Sequence, residues 1–194
     1  MTTDYTEIEA ASFSDAVREL ATYKLSRVAQ KTGKTLFPKS SGWKPFRLGE
    51  MFDLKKGKRL TKANMTDGTT PFIGAIESNN GVSHFIGQTA LHSKGTITVN
   101  YNGSVAEAFY QPEAFCASDD VNVLYPKFKI TPAIAIFIAT LIRREKYRFS
   151  YGRKWHLERM RESEIYLPVD ADGNPDFIFM QKYIESLPFS DQIE

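Results

Sequence analysis

Residues 95–125 constrain the fold most, because short β-branched, aromatic and apolar runs alternate there with turn sequences. The first run, TITV at residues 96–99, is soon followed by Asn102-Gly103, and an Asn-Gly pair is typical of a tight hairpin turn. A second run ends at Gln111-Pro112, and a third occupies residues 121–125. The pattern predicts three short strands. The first turn would display four polar side chains for contact, those of Asn100, Tyr101, Asn102 and Ser104.

A buried helix is predicted to follow these strands. Thr131 is a favourable N-cap, Pro132 suits the first helical position, and residues 133–142 are apolar nearly all round. Apolar stripes also predict a helix near each end of the chain, over residues 13–31 and from Asp176 onward. The expected class is α+β: a β-rich domain with a covering core helix, flanked by N-terminal and C-terminal helices. The N-terminal helix would either pack on its own domain or dock against a partner.

The composition excludes several classes of protein. A chain of 194 residues can form one sizeable core and an appendage, but not two full domains. The formal net charge of +2 says little, so the distribution of charge has to support any electrostatic argument. The single cysteine, Cys116, cannot form an intramolecular disulfide, which favours a reduced, cytoplasmic protein. No apolar run is long enough to cross a bilayer, and we expect no membrane partner.

Two basic segments are candidate phosphate-binding sites. The first surrounds Gly57, which would let the backbone approach a ligand closely, and its cations are Lys55, Lys56, Lys58, Arg59 and Lys62. The second, residues 143–162, has eight Lys and Arg against three Glu, a local net charge of +5, with aromatic residues interleaved. Its candidates for contact with nucleic acid are Arg148, Tyr151, Arg153 and Lys154. The alternatives are a solvated surface for the charges and a place in the core for the aromatic residues.

Residues 77–84 predict another Asn-Gly turn. Asn79 and His84 are candidate base-reading residues there, since an Asn amide matches the donor–acceptor edge of adenine in the major groove. The alternative is that this turn supplies hairpin geometry alone. Zinc is not expected, because His84 and His92 have no further ligands at metal-binding spacing. Calcium is not expected either, because the acidic turn at residues 170–175 lacks the glutamate of a calcium loop.

Sequence motifs for catalysis are missing. The chain has no glycine-rich phosphate loop after a strand, no Gly-x-Ser-x-Gly elbow, and neither motif that an adenine methyltransferase requires. We therefore expect a non-catalytic protein with no cofactor of its own. The acidic residues of Ser118-Asp119-Asp120 are expected to cap a turn or to hold a neighbouring cation.

The order of these motifs resembles the target-recognition domain of type I restriction–modification specificity subunits and related DNA-recognition subunits. The likeness covers roughly residues 43–187. It rests on a strand, a Gly-Ser turn, an aromatic strand and a Ser-Asp turn before an apolar strand: Gly95-Thr96-Ile97, Gly103-Ser104-Val105, Phe109-Tyr110, Phe115 and Ser118-Asp119-Asp120-Val121. The segments at residues 43–54, 151–155 and 165–168 extend it. One departure is Ala106, where many relatives have a second glycine, which makes the turn less permissive.

The resemblance implies a sequence-specific double-stranded DNA recognition subunit. It would direct an adenine-N6 methyltransferase to its site, with a motor-nuclease subunit as a further partner. S-adenosylmethionine and ATP would be used by those partners and not by this chain. The resemblance also implies three parts: an N-terminal helical segment and linker (residues 1–42), a target-recognition domain (43–175) and the start of a spacer or docking helix (176–194).

A bipartite DNA target would need a second recognition domain. The likeness is to one domain of a two-domain subunit, to a half-length subunit or to a fragment, so the second domain would come from a C-terminal half or from a homodimer through the terminal helices. Two other functions stay open at this point. One is a protein–protein regulator or decoy of a restriction–modification complex with the same fold, and the other is RNA binding through the aromatic and basic segment.

Overall fold

The structure is a computed structural model that describes residues 42–149, 152–187 and 190. Within them the strands are β1 (Trp43–Arg47), β2 (Phe52–Lys56), β3 (Asp67–Ile73), β4 (Val82–Ile86), β5 (Thr96–Asn100), β6 (Ala108–Gln111), β7 (Cys116–Ala117), β8 (Val121–Pro126) and β9 (Glu164–Pro168). The α-helices there are α1 (Leu48–Met51), α2 (Pro132–Arg144), α3 (Leu157–Glu162) and α4 (Phe177–Glu185). This mixture confirms the α+β class. The helix predicted over residues 13–31 lies outside the described residues.

A four-stranded antiparallel sheet in the order β2-β8-β5-β6 forms the centre of the domain. The three strands predicted within residues 95–125 are confirmed as β5, β6 and β8. Their first connection is a loop over residues 101–107 and not the tight hairpin that Asn102-Gly103 predicted. Side chains alternate along a strand, so Ile97 and Thr98 of β5 point to opposite faces of the sheet. Every residue of β5 is buried, which requires a covering layer on each face.

Helix α2 covers one face of this sheet, as the sequence predicted. The Thr131 hydroxyl accepts a hydrogen bond from the Ile134 N–H at 3.3 Å, and Pro132 occupies the first turn. Both features stabilise the start of the helix, because the first N–H groups have no partner inside it. The apolar side chains of α2 share one core with residues on the facing side of the sheet, Ile97, Val99 and Leu124.

Helix α4 packs on the same core. It begins at the predicted cap, where the Asp176 carboxylate accepts a hydrogen bond from the Phe179 N–H at 2.8 Å. Met180 and Ile184 are buried against the domain. The apolar stripe predicted for a spacer helix is therefore used inside the domain, at least over Phe177–Glu185.

A three-stranded sheet in the order β4-β3-β7 covers the other face. Strand β3 pairs antiparallel with β4 and parallel with β7. The buried apolar residues between the two sheets are Ile73, Phe115, Ala117, Val121 and Val123. Leu60 and Met65, from the segment between β2 and β3, pack on the outer side of the smaller sheet.

Strands of both sheets end at the same side of the domain. We call this side the tip end and define it as residues 56–59, 101–104 and 118–120. Lys56, the last residue of β2, lies opposite Asn122, and Asn100, the last residue of β5, lies opposite Val121 at the start of β8. The end of β7 lies beside the end of β3, and residues 118–120 connect β7 to β8. At the opposite ends of these strands lie residues 94–95, before β5, and residues 127–129, after β8, and we call this side of the domain the far end.

Candidate nucleic-acid interface

The loop after β2 is tied by its backbone to the strands beside it. The Gly57 N–H donates to the Val121 carbonyl and the Lys58 N–H to the Ala117 carbonyl, each at 2.9 Å. A Cβ at Gly57 would overlap the Ser118 carbonyl oxygen and lie 2.7 Å from the Ala117 carbonyl oxygen. Glycine is therefore required for this close approach. What the backbone of Gly57 approaches in the structure is the turn at residues 118–120.

That turn contains the two acidic residues of the tip end. The Ser118 hydroxyl accepts a hydrogen bond from the Asp120 N–H at 3.3 Å. The Asp119 carboxylate lies 3.6 Å from the Arg59 guanidinium, and the Asp120 carboxylate accepts a hydrogen bond from the Asn102 amide at 2.8 Å. The expectation that these acids cap a turn or hold a cation is confirmed for Asp119, which pairs with Arg59, whereas the Asp120 carboxylate binds a neutral amide. Each of them contacts a residue that the sequence had marked as a candidate for DNA contact.

Tyr101 joins the two basic segments. The Lys56 ammonium lies 5.0 Å from the centre of the Tyr101 ring, and the His156 ring lies 5.4 Å from it. The hydrogen bond with the Tyr101 hydroxyl, opposed by partial desolvation, raises the pKa of Lys56. Lys56 belongs to the first segment and His156 to the second, so both segments reach the tip end at one aromatic side chain.

The loop over residues 101–107 is held at both ends. The Tyr101 N–H donates to the Asp120 carbonyl at 3.1 Å, which joins the loop to the acidic turn. At the other end the Glu107 carboxylate lies 2.9 Å from Arg143 and 3.0 Å from Lys146. Ala106 has a φ of +66°, in the region that favours glycine, so the residue that departs from the family pattern does adopt the conformation a glycine would.

The second basic segment is partly neutralised by its own acids. Arg148 pairs with Glu145 at 2.7 Å, and this hydrogen bond raises the pKa of Arg148. The aromatic residues divide: Phe149 and Trp155 are buried and stacked at 4.3 Å, whereas Tyr147 is 78% exposed. Stacking of bases on the two buried rings is thus blocked, which weakens the case for RNA binding through this segment.

Lys55 points away from Lys56, because neighbouring side chains of β2 face opposite sides of the sheet. Its ammonium lies 4.6 Å from the centre of the Tyr125 ring. The Tyr125 hydroxyl lies 2.7 Å from Nδ1 of His92, whose side chain is buried. Burial, and secondarily the charge of Lys55, lowers the pKa of His92, while burial raises the pKa of Tyr125.

Six candidate residues lie in the tip end: Lys56, Lys58, Arg59, Tyr101, Asn102 and Ser104. The expectation that Tyr101 displays its side chain is wrong, because that side chain is only 9% exposed and packs in the core. Arg153 is exposed and Lys154 is half-buried, three and two residues before His156 in the sequence. Ser104 is half-buried, with its N–H 3.5 Å from the Ala75 carbonyl. The expectation that Asn100 displays its amide is wrong. Its side chain is fully buried and donates to the Ile76 carbonyl at 3.0 Å, because Asn100 is the last residue of a strand covered on both faces.

The remaining candidates lie outside the defined tip end. Lys62 is exposed in the segment that crosses the outer side of the smaller sheet. Asn79 is exposed and donates to the Val82 carbonyl at 2.9 Å. A turn forms here, but Asn79 and Asn80 are its central residues, with φ of +51° and +50°, one position before the predicted Asn80-Gly81 pair. His84 is exposed on β4, opposite Phe72. Tyr151 lies outside the described residues.

Sequence reasoning did not single out His156 or Glu107. His156 contacts Tyr101 across 55 positions of sequence, and Glu107 contacts cations at the end of α2. Neither residue belongs to a local motif, so no sequence signal could have paired them with their partners. Among the described residues, no group of three or more His, Cys, Asp or Glu side chains could hold a metal ion. No helix in that part of the chain is long and apolar enough to cross a membrane.

A family model described as the type I restriction modification DNA specificity domain matches residues 40–193. Among curated proteins, the specificity subunit S.BcgI of a type II restriction enzyme from Heyndrickxia coagulans is 42% identical over 151 residues. The match spans 75% of this chain and 43% of that relative. The chain thus spans less than half the length of the curated relative.

Solved structures with a similar fold include the S subunit of a type I restriction–modification system from M. genitalium. It has a TM-score of 0.60 and 18% identity, and the match covers 89% of this chain and 42% of that chain. The HsdS subunit from Thermoanaerobacter tengcongensis has a TM-score of 0.52 and 13% identity, with 97% of this chain and 52% of that chain covered. At these identities the likeness establishes the fold.

Proposed function

The chain belongs to the family of type I restriction–modification DNA specificity domains, and we propose on that premise that it recognises a specific sequence of double-stranded DNA through its tip end. It acts as the non-catalytic recognition component of a restriction–modification system. Loops of the tip end enter the major groove, and cations around them hold the phosphate backbone.

The meeting of the two basic segments at Tyr101 is the observation that supports this proposal most. Phosphates of a duplex line both sides of the groove, so a reading surface needs cations on more than one side of its loops. Lys56 and His156 contact Tyr101 from different segments, and Lys58 and Arg59 are exposed beside them. The second segment therefore reaches the same end of the domain as the cations of the first.

The polar candidates in the tip end and those outside it have distinct roles in this proposal. Lys58, Arg153 and Lys154 neutralise phosphates, which adds affinity for every sequence. Asn102 and Ser104 on the central loop contact base edges, and Asn79 and His84 contact the duplex beside it. The Asn102 amide donates one N–H to Asp120 and its oxygen is buried, so in this proposal it meets a base edge through its second N–H.

The partners follow from the family and from the printed name of the curated relative, which is a restriction enzyme specificity subunit. We propose a cytoplasmic complex with an adenine methyltransferase subunit, and with a motor-nuclease subunit as a further partner. Those subunits bind S-adenosylmethionine and ATP. A second recognition domain, or a second copy of this chain through the terminal helices, supplies the other half of a bipartite target. The family description names DNA, so a protein–protein regulator with the same fold is not favoured.

Salt-dependent binding to duplex DNA tests this function. The affinity of the full chain for a duplex selected from a random library should fall as the salt concentration rises. The logarithm of the affinity should fall linearly with the logarithm of the salt concentration, with a slope of about 0.9 for each phosphate contact. Lys58→Ala should reduce that slope by about 0.9, the value for one phosphate contact. Lys129→Ala is the matched control, because Lys129 is an exposed cation at the far end, and the variant should show the salt dependence of the wild type.

Two results would contradict the proposal. The first is equal affinity for selected and random duplexes with no dependence on salt, which a regulator of the complex would give. The second is a loss of slope in Lys129→Ala and not in Lys58→Ala, which would move the DNA to the far end. Purification of the chain with an adenine methyltransferase subunit from the same organism, followed by mapping of methylated adenines, tests the proposed partner separately.

A further inference from the structure

Asp119 is an acidic residue at the centre of a surface proposed to face a polyanion. Its side chain is 32% exposed, and its neighbour Arg59 is 75% exposed. A carboxylate that approaches phosphates is repelled and loses solvation, so it weakens binding unless it meets a hydrogen-bond donor on the DNA. In the major groove such donors are the amino groups of cytosine and adenine.

The two aspartates of the turn differ in how strongly their carboxylates are engaged within the protein. Asp120 accepts a hydrogen bond of 2.8 Å from Asn102, so its carboxylate is engaged inside the protein. Asp119 lies 3.6 Å from Arg59, which is longer than the 2.7–2.9 Å or so of a strong charge-assisted hydrogen bond. The ion pair therefore keeps both side chains near each other, but leaves Arg59 able to donate, and Asp119 able to accept, a further hydrogen bond.

The distance between the Arg59 guanidinium and the Asp119 carboxylate suits contact with both bases of one base pair. In a G·C pair the guanine O6 and the cytosine N4 are joined by a hydrogen bond, so these atoms lie about 2.9 Å apart at the edge of the major groove. A guanidinium can donate two hydrogen bonds to guanine O6 and N7, while a carboxylate accepts one from cytosine N4. Donor and acceptor atoms 3.6 Å apart can thus reach both bases of the same pair.

The two loops that carry the pair are held by backbone hydrogen bonds. Gly57 and Lys58, just before Arg59, donate to Val121 and Ala117, which flank the turn of Asp119. The Ser118 N–H donates to the Ile73 carbonyl at 2.8 Å. The relative position of the two backbone segments is therefore set before DNA binds, which lowers the entropy lost on recognition.

We infer that Arg59 and Asp119 form a base-reading unit for one G·C base pair, in which Arg59 contacts the guanine and Asp119 the cytosine. This inference rests on the proposed DNA-binding function and deepens it by assigning one position of the target. Arg59 then reads sequence, in addition to contributing positive charge. A pair that served only the fold would be a surface ion pair, and its removal would leave the preference for bases unchanged.

The test is selection of duplexes from a random library by the full chain and by three variants. The wild type should select a site with a G·C pair at one position. Arg59→Ala and Asp119→Asn should both lose discrimination at that same position, by about 5- to 150-fold, and keep it elsewhere. Asp67→Asn is the matched control, because it removes the same charge from an exposed residue at the start of β3, at the other end of that strand. It should retain the wild-type preference.

A second measurement changes one base of the DNA. Replacement of the selected guanine by 7-deazaguanine removes the N7 acceptor, so it should weaken binding of the wild type and leave binding of Arg59→Ala unchanged. The inference is overturned if the wild type tolerates this base at every guanine of its site. It is also overturned if Asp119→Asn and Asp67→Asn raise affinity for all duplexes alike with no change in preference, which would show an effect of charge alone. A wild-type chain that selects no sequence would overturn the proposed function itself.

Discussion

Gly57→Ala should destabilise the domain although alanine suits the local backbone, whose φ lies outside the left-handed region. The added Cβ would overlap the Ser118 carbonyl oxygen and lie within 2.7–2.9 Å of the Ala117 carbonyl group. All of these are backbone atoms in strands or turns, so none can rotate away as a side chain would. Overpacking of this kind costs about 1–3 kcal/mol.

The loop can relieve the overlap only by moving away from β7 and β8. That movement weakens the hydrogen bonds of Gly57 to Val121 and of Lys58 to Ala117, each worth about 0.5–1.5 kcal/mol. The expected loss in the free energy of unfolding is therefore about 2–4 kcal/mol. In a chain of this size each kcal/mol lowers Tm by roughly 2–4 °C.

Urea unfolding followed by tryptophan fluorescence would measure this loss, with Gly152→Ala as the control. The structure has no described atom within 4 Å of a Cβ at Gly152, and its φ also lies outside the left-handed region. That variant should be neutral or stabilised by about 0.4–1 kcal/mol through the unfolded state. Because Arg59 moves with the loop, Gly57→Ala should also bind duplex DNA more weakly at a temperature where it is folded. Equal midpoints and equal DNA affinities for the two variants would refute the reasoning.

Two further predictions concern buried polar residues. Because burial and the charge of Lys55 lower the pKa of His92, the unfolded chain binds a proton more readily than the folded chain. Stability should therefore fall as the pH falls below about 6.5. In thermal unfolding, the decrease in Tm from pH 7.5 to pH 5.5 should be smaller for His92→Gln than for the wild type. An equal decrease for the two proteins would contradict this. Asn100→Ala removes the hydrogen bond to Ile76 and should lower the free energy of unfolding by about 1–3 kcal/mol. Its base preference in duplex selection should match the wild type, and a changed preference would mean that the Asn100 side chain reaches DNA.

Local sequence signals predicted the elements well because they depend on neighbouring residues. Thr131 and Pro132 start α2 as expected, and Asp176 caps α4. The alternation around Thr98 identified a strand, but not that both of its faces would be covered. For that reason the sequence predicts a surface position for Asn100, whereas its side chain is buried and donates to the Ile76 carbonyl.

The candidate site was predictable in its residue types and less so in its geometry. The first basic segment was identified around Gly57, but the structure shows that this glycine serves the approach of two loops. The contact of Tyr101 with His156 joins residues far apart in sequence, and no periodicity reports such a contact. Charges in the second segment that appeared available are partly engaged, as the pairs of Arg148 with Glu145 and Lys146 with Glu107 show.

Acetylation of lysines in the presence and absence of a selected DNA duplex, read by mass spectrometry, tests the central claim most directly. The claim is that the tip end, and not another surface, faces the DNA. DNA should slow the modification of Lys56 and Lys58 at the tip end and leave Lys94 and Lys129 at the far end unchanged. Protection of Lys94 and Lys129 with continued modification of Lys56 and Lys58 would contradict the account.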